Sequence, residues 1–133
     1  MRNEENIRLV EQVYTNFGSG NVQGILDALT DDITWQDPGY PEVPYAAHRK
    51  GKAEVLSFFQ EMASTIAFTH FKPQEIYSDL DAVIFKGYFS GNSIATKKPF
   101  ESDWVMIWKV RDNKIYSYQA WVDTVRMAKA IAP

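Results

Sequence analysis

Apolar residues recur at three- and four-residue spacing in the first part of the chain, which predicts a helix with one buried face. The stripe consists of Ile7, Val10, Val13, Tyr14 and Phe17. Asn3 is a suitable N-cap, and Gly18-Ser19-Gly20 is a suitable end for this helix. A second, short helix is predicted next, with an apolar face made of Val22, Ile25, Leu26 and Leu29.

The period changes to two at residue 33, where apolar and polar residues begin to alternate as in a strand. A loop with three prolines follows, and a third helix is predicted over residues 52–65. The rest of the chain predicts four strands, which begin near residues 66, 82, 100 and 115, and a short terminal helix over 127–131. Helices and strands are therefore segregated. We expect one α+β domain over residues 1–133, with three helices in the N-terminal half packed on one face of a curved antiparallel sheet.

Composition narrows the class of protein. Hydrophobic residues make up 45% of the chain and charged residues 23%, which is typical of a folded globule. The net charge is −3 and no basic run is present, so we expect no nucleic-acid partner. No stretch is apolar enough to span a membrane, and we expect a cytoplasmic protein. Cysteine is absent, histidines and carboxylates lack metal-ligand spacing, and there is no glycine-rich phosphate loop, so we expect neither a metal nor a cofactor.

Both faces of the strand near residue 105 are apolar. Trp104, Met106 and Trp108 alternate with Val105 and Ile107, which indicates that the sheet is covered on both sides. We expect the helices on one side and a second copy of the chain on the other, with Ile115 beside Val105 and Ile107.

Aromatic residues make up 14% of the chain, which raises the expectation of an aromatic-lined cavity for a small apolar or aromatic molecule. The alternative is that the tryptophans are ordinary core residues. The predicted substrate-binding residues are Tyr14, Phe17, Trp35, Phe58, Met62, Trp104, Met106, Trp108, Tyr118 and Trp121.

Two carboxylates and one histidine are the candidate catalytic residues. Asp37 shares a strand face with Ile33 and Trp35, where desolvation would raise its pKa towards values useful to a general base. Asp123 ends the last strand, and His48 lies in the proline-rich loop. We expect Asp37 and Asp123 to reach the same cavity. The competing interpretation is that Asp37 forms a turn over Pro38-Gly39 and that Asp123 caps the terminal helix.

Five segments within the range 7–127 form a characteristic series: "NFGSGN", "DDITWQDPG", "PYAAHRKGKAEVLSFF", "DWVMIWKVRDNKI" and "YQAWVDT". In this order they resemble the SnoaL-like polyketide cyclases and ketosteroid-isomerase-like proteins of the nuclear transport factor 2-like superfamily. The resemblance implies a cone-like fold, a pocket between sheet and helices rimmed by the loop 39–49, and a homodimer. It places Asp37 where the isomerases have their general base and Asp123 where the cyclases have an acid/base aspartate.

The chain also departs from these families. The isomerases carry an oxyanion-donating tyrosine on the first helix, and alignment puts Val13 at that position, with Tyr14 one residue away. Their second donor corresponds to Met106, which cannot donate a hydrogen bond. No Arg-x-Asp element of the limonene-epoxide-hydrolase type occurs. Cyclase-like chemistry would need only one donor, for which His48, Tyr118 and Tyr14 are all candidates.

Two functions therefore stay open at this point. The first is an enzyme of isomerase, cyclase or dehydratase type, which transfers protons next to a carbonyl group of an apolar substrate. The alternative is a non-catalytic small-molecule-binding or interaction protein with the same fold.

Overall fold

The computed structural model describes residues 3–133, which form four helices and one six-stranded sheet. The helices are α1 (Glu4–Gly18), α2 (Val22–Asp27), α3 (Lys52–Thr65) and α4 (Thr124–Ile131). The strands are β1 (Leu29–Asp37), β2 (Ala47–Lys50), β3 (Ile66–Asp79), β4 (Ala82–Ser93), β5 (Pro99–Arg111) and β6 (Lys114–Val122).

The helices begin and end largely where capping residues predict. The Asn3 side chain accepts a hydrogen bond from the backbone N–H of Asn6, and α1 buries Ile7, Val10 and Val13. The second helix is shorter than predicted, because Leu29 does not belong to it. Leu29 instead begins β1, where it pairs with Ile115 of β6.

The sheet has the strand order β2-β1-β6-β5-β4-β3. Strands β3 to β6 form the predicted antiparallel meander, and Pro73 lies in the edge strand β3 beside a register shift, as a proline in a strand requires. Two features were not predicted. Strand β2 forms inside the expected loop and pairs with β1, and β1 runs parallel to β6, so one ladder of the sheet is not antiparallel.

The inner face of the sheet carries most of the apolar core. Burial alternates along β5, where Trp104, Met106 and Trp108 are buried and Val105 and Ile107 are half-buried on the outer face. The prediction that Ile115 accompanies the outer residues is wrong. A register shift in the β5–β6 ladder pairs it with buried Val110, and it is fully buried in the core.

The curved sheet and the helices enclose space on the inner side, which gives the cone-like α+β fold that was expected. Helix α4 packs against β4 and β5. Within residues 3–133 no helix is both long and apolar enough to cross a membrane.

Candidate functional site

An aromatic cavity lies between the inner face of the sheet and helices α1 and α3. Helix α1 contributes Tyr14 and Phe17, and α3 contributes Phe58 and Met62. The remaining lining residues are Val13, Ile25, Trp35, Asp37, Pro38, Val43, Tyr45, Phe59, Phe68, Phe71, Phe89, Met106, Trp108, Tyr118, Ala120, Val122 and Met127. Most of the predicted binding residues are therefore brought together in one place.

The cavity is of a size for a small ligand. The enclosed volume is about 70 Å³, and the wider space that includes the open mouth is about 740 Å³.

Two of the predicted binding residues do not line the cavity. Trp104 is buried behind the wall, where its ring lies 5.1 Å from the Phe71 ring and 5.8 Å from the Tyr14 ring. Trp121 lies on the outer face of β6, because Tyr118, Ala120 and Val122 take the inward positions of that strand, and it is 44% exposed.

Asp123 and His48 also lie outside the cavity. Asp123 follows the end of β6, accepts a hydrogen bond from the backbone N–H of Arg126 as N-cap of α4, and pairs with the Arg126 guanidinium at 3.2 Å. The expectation that it joins Asp37 in the cavity is wrong, and the capping interpretation is correct. His48 is exposed, since its neighbours Ala47 and Arg49 take the inward positions of β2. Neither residue can reach a ligand in the cavity.

Asp37 is the carboxylate that the fold places in the cavity. Its Oδ1 accepts a hydrogen bond of 3.3 Å from the Tyr118 hydroxyl. Its Oδ2 is buried and has no hydrogen-bond partner within residues 3–133. A buried carboxylate oxygen without a protein partner is rare in folded proteins, and a water or a ligand in the cavity could pair with it.

Burial dominates the protonation of Asp37. Desolvation raises its pKa to about 7, against the opposing effects of the Tyr118 hydroxyl, the Trp35 indole and the charge of Arg49. The Trp35 indole Nε1 makes no hydrogen bond of normal geometry among the described residues, so we ascribe its effect to the dipole of the N–H group. A carboxyl group with this pKa can both accept and return a proton near neutral pH.

Tyr14 supplies a second polar group at the cavity wall. The Trp108 indole donates a hydrogen bond of 3.0 Å to the Tyr14 hydroxyl oxygen, and the hydroxyl donates to the Met106 Sδ at 3.2 Å. Burial raises the Tyr14 pKa, so the phenol stays protonated. A thioether is a weak acceptor, and the proton is therefore available to a stronger one.

The remaining donor candidates can be compared directly. Tyr118 is a lining residue, and its ring stacks on the Trp35 ring with a centre-to-centre distance of 3.9 Å. Its hydroxyl already donates a hydrogen bond to Asp37. His48 is excluded by its exposure. Although alignment put Val13 at the family's tyrosine position, the fold brings the hydroxyl of its neighbour Tyr14 to the cavity.

Sequence reasoning missed several lining residues. Val43 and Tyr45 come from the loop that was expected to rim the pocket, where no periodicity indicates which side chains point inward. Phe68, Phe71 and Phe89 come from β3 and β4, and the alternation along β4 could have identified Phe89. Arg49, whose charge acts on Asp37, was also missed because β2 is too short to show a strand pattern.

Comparison with solved structures shows the same fold in several other proteins. An NTF2-like protein from Burkholderia xenovorans is 28% identical, with 98% of each chain covered and a TM-score of 0.89. An NTF2-like protein from Burkholderia thailandensis is 24% identical, with 100% of each chain covered and a TM-score of 0.85. TerC, which was co-crystallised with polyporic acid, is 22% identical, with 97% of this chain and 99% of TerC covered and a TM-score of 0.87.

No curated protein matches the sequence. The family model described as the SnoaL-like domain matches residues 10–118, which include α1 from Val10 onward, the whole of β1 with Asp37, and the sheet up to Tyr118. The chain therefore belongs to the SnoaL-like domain family.

Proposed function

We propose that this chain is a cofactor-independent enzyme that transfers a proton next to a carbonyl group of an uncharged, apolar molecule, in a reaction of isomerase, cyclase or dehydratase type. The observation that carries the proposal is Asp37. Its carboxyl group lies in an aromatic cavity, leaves Oδ2 unpaired among the described residues, and has a pKa raised to about 7 by burial.

The reaction would start with transfer of a proton from the carbon next to the carbonyl to Asp37 Oδ2. The C–H bond breaks, its electron pair forms a C=C bond with the carbonyl carbon, the π pair of the C=O bond moves onto oxygen, and an enolate results. The Tyr14 hydroxyl would donate its hydrogen bond to that oxygen instead of to the Met106 sulfur, because a developing oxyanion is a much stronger acceptor. Asp37 would then return the proton to another atom of the ligand.

The cavity wall favours an uncharged ligand. Among the described lining residues, the ionisable ones are Asp37 and the tyrosines. No lysine, arginine or histidine among them could pair with an anion. Arg49, which lies nearby, is already paired with Glu61. Moving an unpaired anion into such a cavity would cost several kcal/mol.

The second candidate function is non-catalytic binding, and the Tyr14–Met106 contact is the observation in its favour. Met106 replaces a donor with a thioether, and the Tyr14 proton already has an internal partner. A protein that only stores or carries an apolar molecule needs nothing more from these residues.

Deuterium exchange of 2-tetralone separates the two functions. This bicyclic ketone is uncharged and apolar, as the cavity wall favours, and its exchange in D₂O reports proton transfer next to a carbonyl. We expect exchange above the buffer rate, increasing as pH rises through about 7 and then levelling off as Asp37 ionises. Quenching of tryptophan fluorescence by the ligand, without exchange above buffer, would contradict the enzymatic proposal and favour the binder.

We also propose that the chain forms a homodimer through the outer face of the sheet. Half-buried Ile84, Val105 and Ile107 lie side by side on neighbouring strands, and Trp121, 44% exposed, is paired with Val105. Such a patch is typical of an interface between copies. Light scattering should give twice the mass of 15.3 kDa at micromolar concentration. The Val105→Glu variant places a charge in this patch and should give the monomer mass. A monomer mass for the wild type would contradict the proposal.

A further inference from the structure

We propose that Arg49, held in place by Glu61, is a positioning residue that acts through Asp37, because its fixed positive charge keeps Asp37 able to accept a proton at neutral pH. The inference rests on the proposed function of Asp37 as a base. It concerns an ion pair outside the cavity lining, between β2 and α3.

The register of the β1–β2 ladder places Arg49 beside Asp37. Asp37 pairs with Ala47 and Trp35 pairs with Arg49, so Arg49 is the diagonal neighbour of Asp37 on the adjacent strand. Diagonal neighbours on one face of an antiparallel pair lie about 7–8 Å apart at the backbone. Because residues two apart share a face, Arg49 points to the same side as the inward-facing Ala47.

The guanidinium group is largely removed from solvent and is held through both terminal nitrogens. The Arg49 side chain is 11% exposed, its Nη2 lies 2.8 Å from Glu61 Oε2, and its Nη1 donates to the Glu54 carbonyl oxygen at 3.1 Å. The guanidinium carbon lies 6.0 Å from the centre of the Phe58 ring, which lines the cavity. A charge held in this way is poorly screened by water and acts on Asp37 through the cavity wall.

Glu61 is placed differently from Arg49. It belongs to α3, and its side chain is 45% exposed, so solvent screens its own negative charge more than the positive charge of its partner. The ion pair therefore keeps a net positive field on the side of Asp37. Glu61 sets the strength of that field, since its charge opposes the charge of Arg49.

No other charged side chain among the described residues opposes the effect of burial on Asp37. The groups that face it are Tyr118 of β6, Tyr45 of the loop before β2, and the Trp35 indole on its own strand. Burial raises the pKa of both tyrosines, so they are uncharged near neutral pH, as is Tyr14 of α1. Without Arg49, a larger fraction of Asp37 would be protonated at neutral pH and unable to take up a proton.

Two substitutions should move the titration of Asp37 in opposite directions. Arg49→Met removes the positive charge and keeps an apolar stem, and we expect the Asp37 midpoint to rise by about one pH unit. Glu61→Gln removes the opposing negative charge, and we expect the midpoint to fall. The midpoint is measured without any ligand by ¹³C NMR of the carboxyl carbons, with the Asp37 signal identified by its absence in Asp37→Asn.

Matched variants separate the charge from the packing. Arg49→Lys keeps the charge and should leave the midpoint close to that of the wild type. Arg111→Met removes a comparable arginine, which pairs with Asp32 and stacks 4.8 Å from the Tyr116 ring but is 55% exposed, and it should change nothing. If Arg49→Met fails to fold, the direction in which Glu61→Gln moves the Asp37 midpoint decides. Glu61 is half-exposed, so its replacement should not prevent folding.

The proposal is overturned if Glu61→Gln raises the midpoint or leaves it unchanged, or if a folded Arg49→Met lowers it or leaves it unchanged. Its failure is distinguishable from that of the proposed function. Opposite shifts of the Asp37 midpoint in the two variants, without exchange of 2-tetralone, would reject the enzymatic function and support the electrostatic role of Arg49. Exchange of 2-tetralone without these shifts would support the enzymatic function and reject the role of Arg49.

Discussion

Replacement of Asp37 by Asn is expected to reduce the deuterium exchange of 2-tetralone by about 10²- to 10⁴-fold, the usual contribution of a general base. Asn has nearly the same shape as Asp and can still accept the hydrogen bond from Tyr118, so the cavity should persist. An amide cannot take up the proton. The exchange rate is measured by ¹H NMR in D₂O at pH 8, and ligand binding by quenching of tryptophan fluorescence.

Asp123→Asn is the matched control for this experiment. It makes the same chemical change at an exposed carboxylate that caps α4, and asparagine is an equally good N-cap. We expect wild-type exchange from it. Loss of exchange in Asp123→Asn with retention in Asp37→Asn would mean that the wrong carboxylate has been assigned as the base.

The Asp37→Asn variant should be more stable than the wild type at alkaline pH. The folded pKa of Asp37 is about 7 and the value in the unfolded chain is near 3.8, so between these values the folded state binds a proton that the unfolded state lacks. Stability from this group therefore falls as pH rises from about 4 to 7, and the loss is complete above pH 7. Three pH units correspond to at most about 4 kcal/mol, and we expect about 2 to 4 kcal/mol.

Urea unfolding at pH 4 and pH 8 tests this expectation. The wild type and Asp37→Asn have the same ionisable groups except for Asp37. The pH dependence of the difference between their unfolding free energies therefore reports the titration of Asp37 alone. That difference should shift by about 2 to 4 kcal/mol in favour of the variant on going from pH 4 to pH 8. An unchanged difference would show that the carboxylate is solvated, which would also remove the basis for its role as a base.

The position of Asp37 was predictable because strand alternation is a local property. Once Ile33 and Trp35 point inward, the residue two positions further must do so, whatever its chemistry. The alternative of a turn made by the Asp37 side chain fails because its Oδ1 accepts from Tyr118 and its Oδ2 has no hydrogen-bond partner among residues 3–133. The same logic applied to Asp123 gave a wrong result, since β6 ends at Val122 and the capping geometry of α4 then decides where the side chain goes.

Other parts of the site depend on which strands meet, and no local pattern contains that information. The four residues of β2 show no periodicity, so the pairing of Arg49 with Trp35 became visible only in the folded chain. The contact between Tyr14 and Met106 joins residues 92 positions apart. Alignment with the family put Val13 at the tyrosine position, and the direction of the Tyr14 hydroxyl follows from the packing of α1 on β5.

The parallel ladder between β1 and β6 has a consequence for the order of folding. Hairpins of the β3–β6 meander join neighbouring segments, but Trp35 and Gln36 of β1 must find Tyr118 and Gln119 across more than 80 residues of chain. Long closures of this kind slow folding, because their entropy is lost before contacts compensate for it. In any partly folded state that has the hairpins and lacks this ladder, Asp37 is an ordinary solvated carboxylate. Its chemistry is therefore acquired only when the chain closes.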